Sequence, residues 1–267
     1  MGRLLVLKLG GSLITDKGRP YCMRPEVMRS VSGEIRSCLD EGLVDRLVIV
    51  HGVGSYGHPP VIEHKLHKGF IGPGQLMPIS RTQSKVNELR TALTSCLQDA
   101  GVPVNLFHTS SIATAEKGRI VSMHLDAVLG FQKLGMVPVL GGDMVQDTAM
   151  GFSVGSGDQV AVMLAKELGA SDLVFATDVA GVYDGDPKTN PKATLLRELG
   201  LERMASFGPG GTATDASGAM GGKLANLVPL KGEMEKGLRV AIMSMMGPGR
   251  LTALLRGEEF IGTSIRA

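Results

Sequence analysis

Four glycine-bearing segments carry the residues best suited to handling phosphate: Lys8-Leu9-Gly10-Gly11-Ser12, His51-Gly52-Val53-Gly54-Ser55-Tyr56-Gly57-His58, Ser156-Gly157-Asp158 and Gly221-Gly222-Lys223. Glycine lets backbone N–H groups approach an anion, and a helix N-terminus adds favourable partial charge. Lys8 and Lys223 stand at the two ends of the set and supply the cations that a transferring phosphoryl group needs. One such loop is a tight turn in many proteins; four in a fixed order describe a site.

The first segment places a cation at a strand end with glycines in the turn that follows, an arrangement for the β- and γ-phosphates of a nucleotide. It lacks the GxxxxGK[ST] spacing of a Walker loop and the GxGxxG of a dinucleotide fold. The second segment has nearly that GxGxxG spacing. A dinucleotide reading wants an acid about 20 residues on, and a proline-rich stretch stands there instead. A second anion site, for the acceptor, accounts for it better. His58 then lies one turn past the glycines, placed to hydrogen-bond a bound oxyanion, preferably as imidazolium. Asp158 reads both as a first-turn acid complementing a helix dipole and as a carboxylate holding Lys8 and Lys223. Asp178, just after a strand, could meet ribose, base or metal. The run from Asp215 to Lys223 brings a lysine over the phosphates from the far side. His51, His58, His64 and His67 lie seven, six and three residues apart with no cysteine or paired carboxylate among them, which disfavours a zinc site.

The elements that position these residues follow from periodicity. Leu4–Leu7 and Leu47–Val50 are continuous apolar runs that enter glycine loops, and Pro25–Glu41 has helical spacing, ended by Gly42. Strand, loop, helix, strand is the signature of a parallel sheet. Residues 59–80 mix breakers with apolar residues and predict an irregular flap or pocket wall. Its Ile62, Leu66, Phe70, Ile71, Met77 and Ile79, with Val86, are candidates for an apolar pocket. Helices are expected over 84–100, 125–134 and 158–168, and strands over 103–106, 136–140, 173–176 and 239–243. A loop with a hairpin is expected around Asp186-Pro187, an interrupted helix after Lys223, and an edge strand at Gly262–Ile265. The chain is expected to form one unit with two lobes meeting near residue 150.

The 267 residues, 43% hydrophobic, suffice for a full core. With 28 basic and 26 acidic residues and no concentrated basic face, nucleic-acid binding is not expected. Three scattered cysteines, Cys22, Cys38 and Cys96, argue against a disulfide framework and fit a reducing cytoplasm. No apolar run reaches the ~18 residues of a membrane span, and the short apolar run after Arg3 does not read as a signal peptide.

Together these segments resemble the amino acid kinase superfamily over nearly the whole chain. The motifs KLGGSLIT with nearby Lys17, HGVGSYGH ending in His58, and TDVAGVYDGDP with the later TDASGAMGGK are most similar to the archaeal branch that phosphorylates isopentenyl phosphate. The resemblance implies an α/β fold, a three-layer αβα sandwich around a mainly parallel sheet. It implies an acceptor-binding and dimerisation lobe over about 1–150, a nucleotide lobe over about 151–267, and a homodimer. It implies that Lys8, Leu9, Gly10, Gly11, Ser12, Gly54, Asp178, Tyr183, Gly218 and Lys223 bind ATP with Mg2+. Val53, Gly54, His58 and Gly157 are then the acceptor-phosphate contacts, Lys17 neutralises charge between the two anions, and Asp158 organises the lysines. Fosfomycin kinases share a similar histidine loop, and a non-catalytic nucleotide- or anion-binding protein is the reading from another class.

Overall fold

The computed structural model describes residues 2–185, 187, 190–203, 222 and 224–267. Its centre is β1 (Leu4–Leu9), buried along its whole length. β1 pairs in parallel with β2 (Arg46–His51) on one side and with β9 (Asp172–Thr177) on the other. β6 (Val137–Gly141) and β3 (Val104–Leu106) continue the parallel sheet beyond β2. Beyond β9 comes parallel β11 (Arg239–Ser244), then β12 (Gly262–Arg266), which runs antiparallel to β11, and finally β10 (Glu198–Gly200). The eight-stranded order is β10-β12-β11-β9-β1-β2-β6-β3.

Side chains of successive strand residues point to opposite faces, and the core divides accordingly. Leu4, Val6, Val48, Val50 and Phe175 pack with Val160 and Leu164 of α7 (Gly157–Glu167). Leu5, Leu7, Leu9 and Ile49 pack with α2 (Pro25–Asp40) through Met28, Val31 and Ile35, and with α4 (Leu76–Asp99) through Leu89, Leu93 and Leu97. A sheet buried on both faces needs apolar residues at every position, which is why these strands read as unbroken runs. The result is the expected three-layer αβα architecture.

Three local expectations are corrected. Residues 59–80 are largely helical: α3 spans Gly54–Glu63, two 3-10 turns follow at Leu66–Lys68 and Pro73–Gln75, and α4 begins at Leu76. Pro78 is the third residue of α4, where its missing N–H belongs to the unpaired first turn. Pro59 lies inside α3, and the Ser55 carbonyl that its N–H would have satisfied accepts instead from the Tyr21 N–H at 3.2 Å. β12 is not an edge strand but lies between β10 and β11. Finally, a second, four-stranded sheet comes from residues for which no strand was expected. It comprises β5 (Arg119–Met123), β4 (Ala113–Glu116), β7 (Asp143–Asp147) and β8 (Gly151–Gly155), in that order.

Near residue 183, a Tyr183–Leu195 antiparallel bridge agrees with the expected hairpin, though Asp186 lies outside the described residues. After position 223, a 3-10 turn at Val228–Leu230 precedes a short helix, Lys231–Glu235, as the interruption by Pro229 predicts.

Candidate active site

A cavity of about 450 Å³ opens where the C-terminal ends of β1, β2, β6 and β9 meet, lined by Lys8, Gly52, Gly142 and Thr177 among others. The chain runs outward from β1 to β2 on one side and to β9 on the other. Ligands of open α/β sheets bind at such a switch point.

The glycines of the first two loops are required by each other. A Cβ on Gly11 would overlap the backbone N and Cα of Gly54, and one on Gly52 would lie 2.5 Å from the Gly11 nitrogen. Gly54 has φ +46, and its Cβ would strike the Thr15 hydroxyl. That hydroxyl donates to the Gly11 carbonyl at 2.6 Å and accepts from the Ser55 N–H at 3.0 Å, tying the loops together. The two loops therefore touch main chain to main chain.

Charge is placed around this contact. Lys8 is buried at the end of β1, and its Nζ lies 2.6 Å from Asp158 Oδ1. Asp158 is in the first turn of α7, whose N-cap Ser156 accepts from the Gln159 N–H at 3.2 Å. A helix N-terminus, a carboxylate and an ammonium thus converge on one wall. Gly157 admits the His51 carbonyl, which a Cβ would approach to 2.8 Å. Lys17 and His58 line the same cavity, both reached by solvent. His58's pKa is held below its ordinary value, first by desolvation among the cleft walls and then by the charges of Lys17 and Lys8, with Asp158 opposing. Without a bound anion this shift favours the neutral ring.

Beneath the cleft lies a polar cluster that sequence reasoning missed. Arg90 is fully buried and donates from Nε to His51 Nε2 at 3.0 Å and from Nη1 to Asn87 Oδ1 at 2.8 Å. The same Nη1 lies 2.8 Å from His108 Nδ1, and Nη2 lies 3.8 Å from Asp143 Oδ2. Burial and the neighbouring guanidinium push the His51 pKa down to about 3, so its ring is a neutral acceptor. The His51 carbonyl in turn accepts the Gly142 N–H at 3.1 Å.

Of the expected site residues, Lys8, Gly10, Gly11, Ser12, Lys17, Val53, Gly54, His58, Gly157, Asp158, Asp178 and Tyr183 all line this one cavity. Leu9 does not: its side chain is in the core, and its carbonyl accepts the Gly52 N–H at 2.8 Å. Lys223 and Gly218 lie outside the described residues, while Gly222, next to Lys223, lines the cavity.

The candidates for an apolar pocket are mostly corrected. Only Val86 lines the cavity; Ile62, Phe70, Ile71 and Met77 are exposed on the surface, and Leu66 is wholly buried in a satellite core with Ile79 against it. The apolar wall is formed by Val61 of α3, Val86 of α4, Met144 of β7 and Val154 of β8. The second sheet thus supplies half of it.

The model of the amino acid kinase family matches residues 3–243. The chain belongs to the amino acid kinase family. Among its curated relatives is the isopentenyl phosphate kinase of Methanothermobacter thermautotrophicus, 34% identical over 98% of both chains. The isopentenyl phosphate kinase of Arabidopsis thaliana is 29% identical over 76% of this chain and 72% of its own. Among solved structures, one titled "X-ray structures of isopentenyl phosphate kinase" superposes with a TM-score of 0.83 at 31% identity, over 98% of this chain and 100% of that one. As a member of this family the chain is a phosphotransferase of the kinase class, and the family match ends within β11, short of the inserted β12.

Proposed function

We propose that this chain transfers the γ-phosphoryl group of ATP to isopentenyl phosphate, giving isopentenyl diphosphate and ADP. The observation that carries this reading is that the Lys8–Asp158 pair, His58 and Lys17 line one cavity that also has an apolar wall. Relatives sharing nearly the full length are named for that acceptor.

A phosphate monoester has a second pKa of about 6, so its attacking oxygen is already largely ionised at neutral pH. The reaction needs no strong base. Its difficulty is electrostatic, since a dianion must approach a polyphosphate. Lys8 and Lys17, with Lys223, offset that repulsion, and the backbone N–H groups of the glycine loops hold both anions in line. Asp158 fixes the Lys8 ammonium between them. His58 hydrogen-bonds the acceptor phosphate and gains its proton as the dianion arrives, because an adjacent negative charge raises an imidazole pKa. Val53, Gly54 and Gly157 belong to the acceptor phosphate, and Gly10, Gly11, Ser12, Asp178, Tyr183 and Gly218 to ATP.

Among the described residues no group of three His, Cys, Asp or Glu side chains could hold a metal. Mg2+ commonly binds through substrate phosphates with one or two carboxylates, and the carboxylates of Asp158 and Asp178 line this cavity. When bound, it neutralises charge on the phosphates. The halves 1–150 and 151–267 serve acceptor and nucleotide respectively. A homodimer in the cytoplasm completes the proposal.

The test is ADP release by the purified protein with ATP, Mg2+ and, separately, isopentenyl phosphate, fosfomycin and uridylate. Turnover greatest with isopentenyl phosphate is expected. Turnover with fosfomycin or uridylate instead would keep the kinase and discard the acceptor. The apolar wall of Val61, Val86, Met144 and Val154 favours a hydrocarbon tail over small polar fosfomycin.

A further inference from the structure

The cavity wall that receives the acceptor tail is not wholly apolar. Thr82, Gln83 and Val86 come from the face of α4 turned to the cavity, and Asp143 and Met144 of the adjoining β7 line it as well. Thr82 is already engaged, its hydroxyl donating to the Pro78 carbonyl at 2.7 Å. Asp143 is buried and saturated. Its Oδ1 accepts the Met144 N–H at 2.8 Å, and its Oδ2 accepts the Ser110 hydroxyl at 2.8 Å and the Ser110 N–H at 3.3 Å. Gln83 is the group with a whole polar atom left unengaged. Its Nε2 donates to Asp143 Oδ1 at 3.3 Å. A carboxylate only accepts, so the amide cannot turn its oxygen to Asp143. Gln83 Oε1, at the other end of the amide, has no protein partner among the described residues.

A half-enclosed amide oxygen fixed in this way is an acceptor waiting for a donor, and a purely hydrocarbon tail offers none. Burying it against hydrocarbon costs free energy that a hydroxyl would recover. We infer that the acceptor range of this site extends to phosphate monoesters whose short branched tail carries a hydroxyl group, with Gln83 Oε1 accepting from that hydroxyl. The inference rests on the proposed function and names a further substrate class for the same site. The chemistry of transfer is the same. An acceptor phosphate oxygen forms a bond to the γ-phosphorus, the bond from that phosphorus to the β–γ bridging oxygen breaks, and ADP leaves with the electron pair. The tail hydroxyl takes no part.

The test uses a matched pair, 3-methylbutyl phosphate and 4-hydroxy-3-methylbutyl phosphate, which differ by one hydroxyl, alongside isopentenyl phosphate. Wild-type enzyme is expected to turn over the hydroxylated ester with kcat/KM at least equal to that of its hydrocarbon twin. Gln83→Leu is expected to raise kcat/KM for the hydrocarbon and lower it for the alcohol, moving their ratio about tenfold, the scale of one neutral hydrogen bond. Wild-type turnover of isopentenyl phosphate with none of the hydroxylated ester overturns this inference and leaves the proposed function standing. A ratio unmoved in Gln83→Leu also overturns it, since Oε1 is then served by water. No turnover of isopentenyl phosphate by the wild type removes the proposed function, and the inference with it.

Discussion

Arg90 Nε donates to His51 Nε2 across 3.0 Å, joining the middle of α4 to the end of β2 directly under the glycine loops. Replacing Arg90 by Met should leave Asp143 without its nearest cation and the His51 and His108 rings without their donor. Breaking such a buried group by removing one partner costs about 3–5 kcal/mol. Urea denaturation of Arg90→Met should show a loss on that scale; a loss below about 1 kcal/mol would count against the network's structural role.

His51 links the same network to pH. Its folded pKa of about 3 lies below the unfolded value near 6.5, so the unfolded chain binds the additional proton. The stability from a neutral His51 is complete above pH 6.5 and declines as pH falls from there toward 3, by about 1.4 kcal/mol per unit at the steepest. Gln in place of His51 keeps an acceptor for Arg90 and cannot titrate. Its denaturation midpoint should fall less steeply than wild type between pH 6.5 and 4. Parallel pH profiles would assign the acid lability to other groups.

His58 is tested by catalysis and by proton counting. His58→Ala should lower turnover by orders of magnitude with little change in melting temperature, and His58→Asn, which keeps a neutral donor, should fall less far. The free-state pKa is depressed, so acceptor binding at pH 7 should take up protons at this ring. Calorimetry in buffers of different ionisation enthalpy measures this uptake. Wild-type uptake that persists in His58→Asn would place the proton elsewhere.

Asp158 holds Lys8 at 2.6 Å. Asn in its place keeps the shape and removes the charge that fixes the ammonium. A misplacement of about 1 Å at a reacting centre costs on the order of 100-fold, and kcat should fall by that much in Asp158→Asn. A variant with near-wild-type kcat would show that Lys8 is positioned by its strand alone.

The loop contact gives a stability prediction. Gly54→Ala combines a left-handed backbone, about 1–2 kcal/mol for a residue with a Cβ, with overlap onto Thr15 and Gly11. The variant should melt lower and lose activity together. Thr15→Ala should not rescue it, since the Gly11 carbonyl oxygen, 2.7 Å from the added Cβ, remains.

The parts legible in the sequence were those governed by local rules. β1, β2 and β9 are buried on both faces and therefore unbroken apolar runs, and the loops at their ends carry the residues that line the cavity. The second sheet escaped because its strands are short and half polar, as in Ala113–Glu116 and Asp143–Asp147, with no period long enough to separate strand from loop. The tail wall escaped for another reason. Hydropathy marks Ile62 and Ile71 as strongly as Val61, but which of them faces inward depends on how α3 sits on α4 and β8. Arg90 gave no signal either: on its own it reads as a surface arginine of an amphipathic helix, and only the fold brings His51, His108 and Asp143 around it. In the sequence the glycines signal anion contacts, while their mutual packing depends on the fold bringing both loops together.

That packing sets a gauge. With Gly11 and Gly54 in direct main-chain contact, no side chain stands between the loop assigned to the donor phosphates and the loop assigned to the acceptor phosphate. Their approach at this point is main chain against main chain, with no side chain whose size could vary it. Side-chain variation is free instead at the wall where α4 and the second sheet line the cavity, while this glycine contact leaves the other end with main chain only.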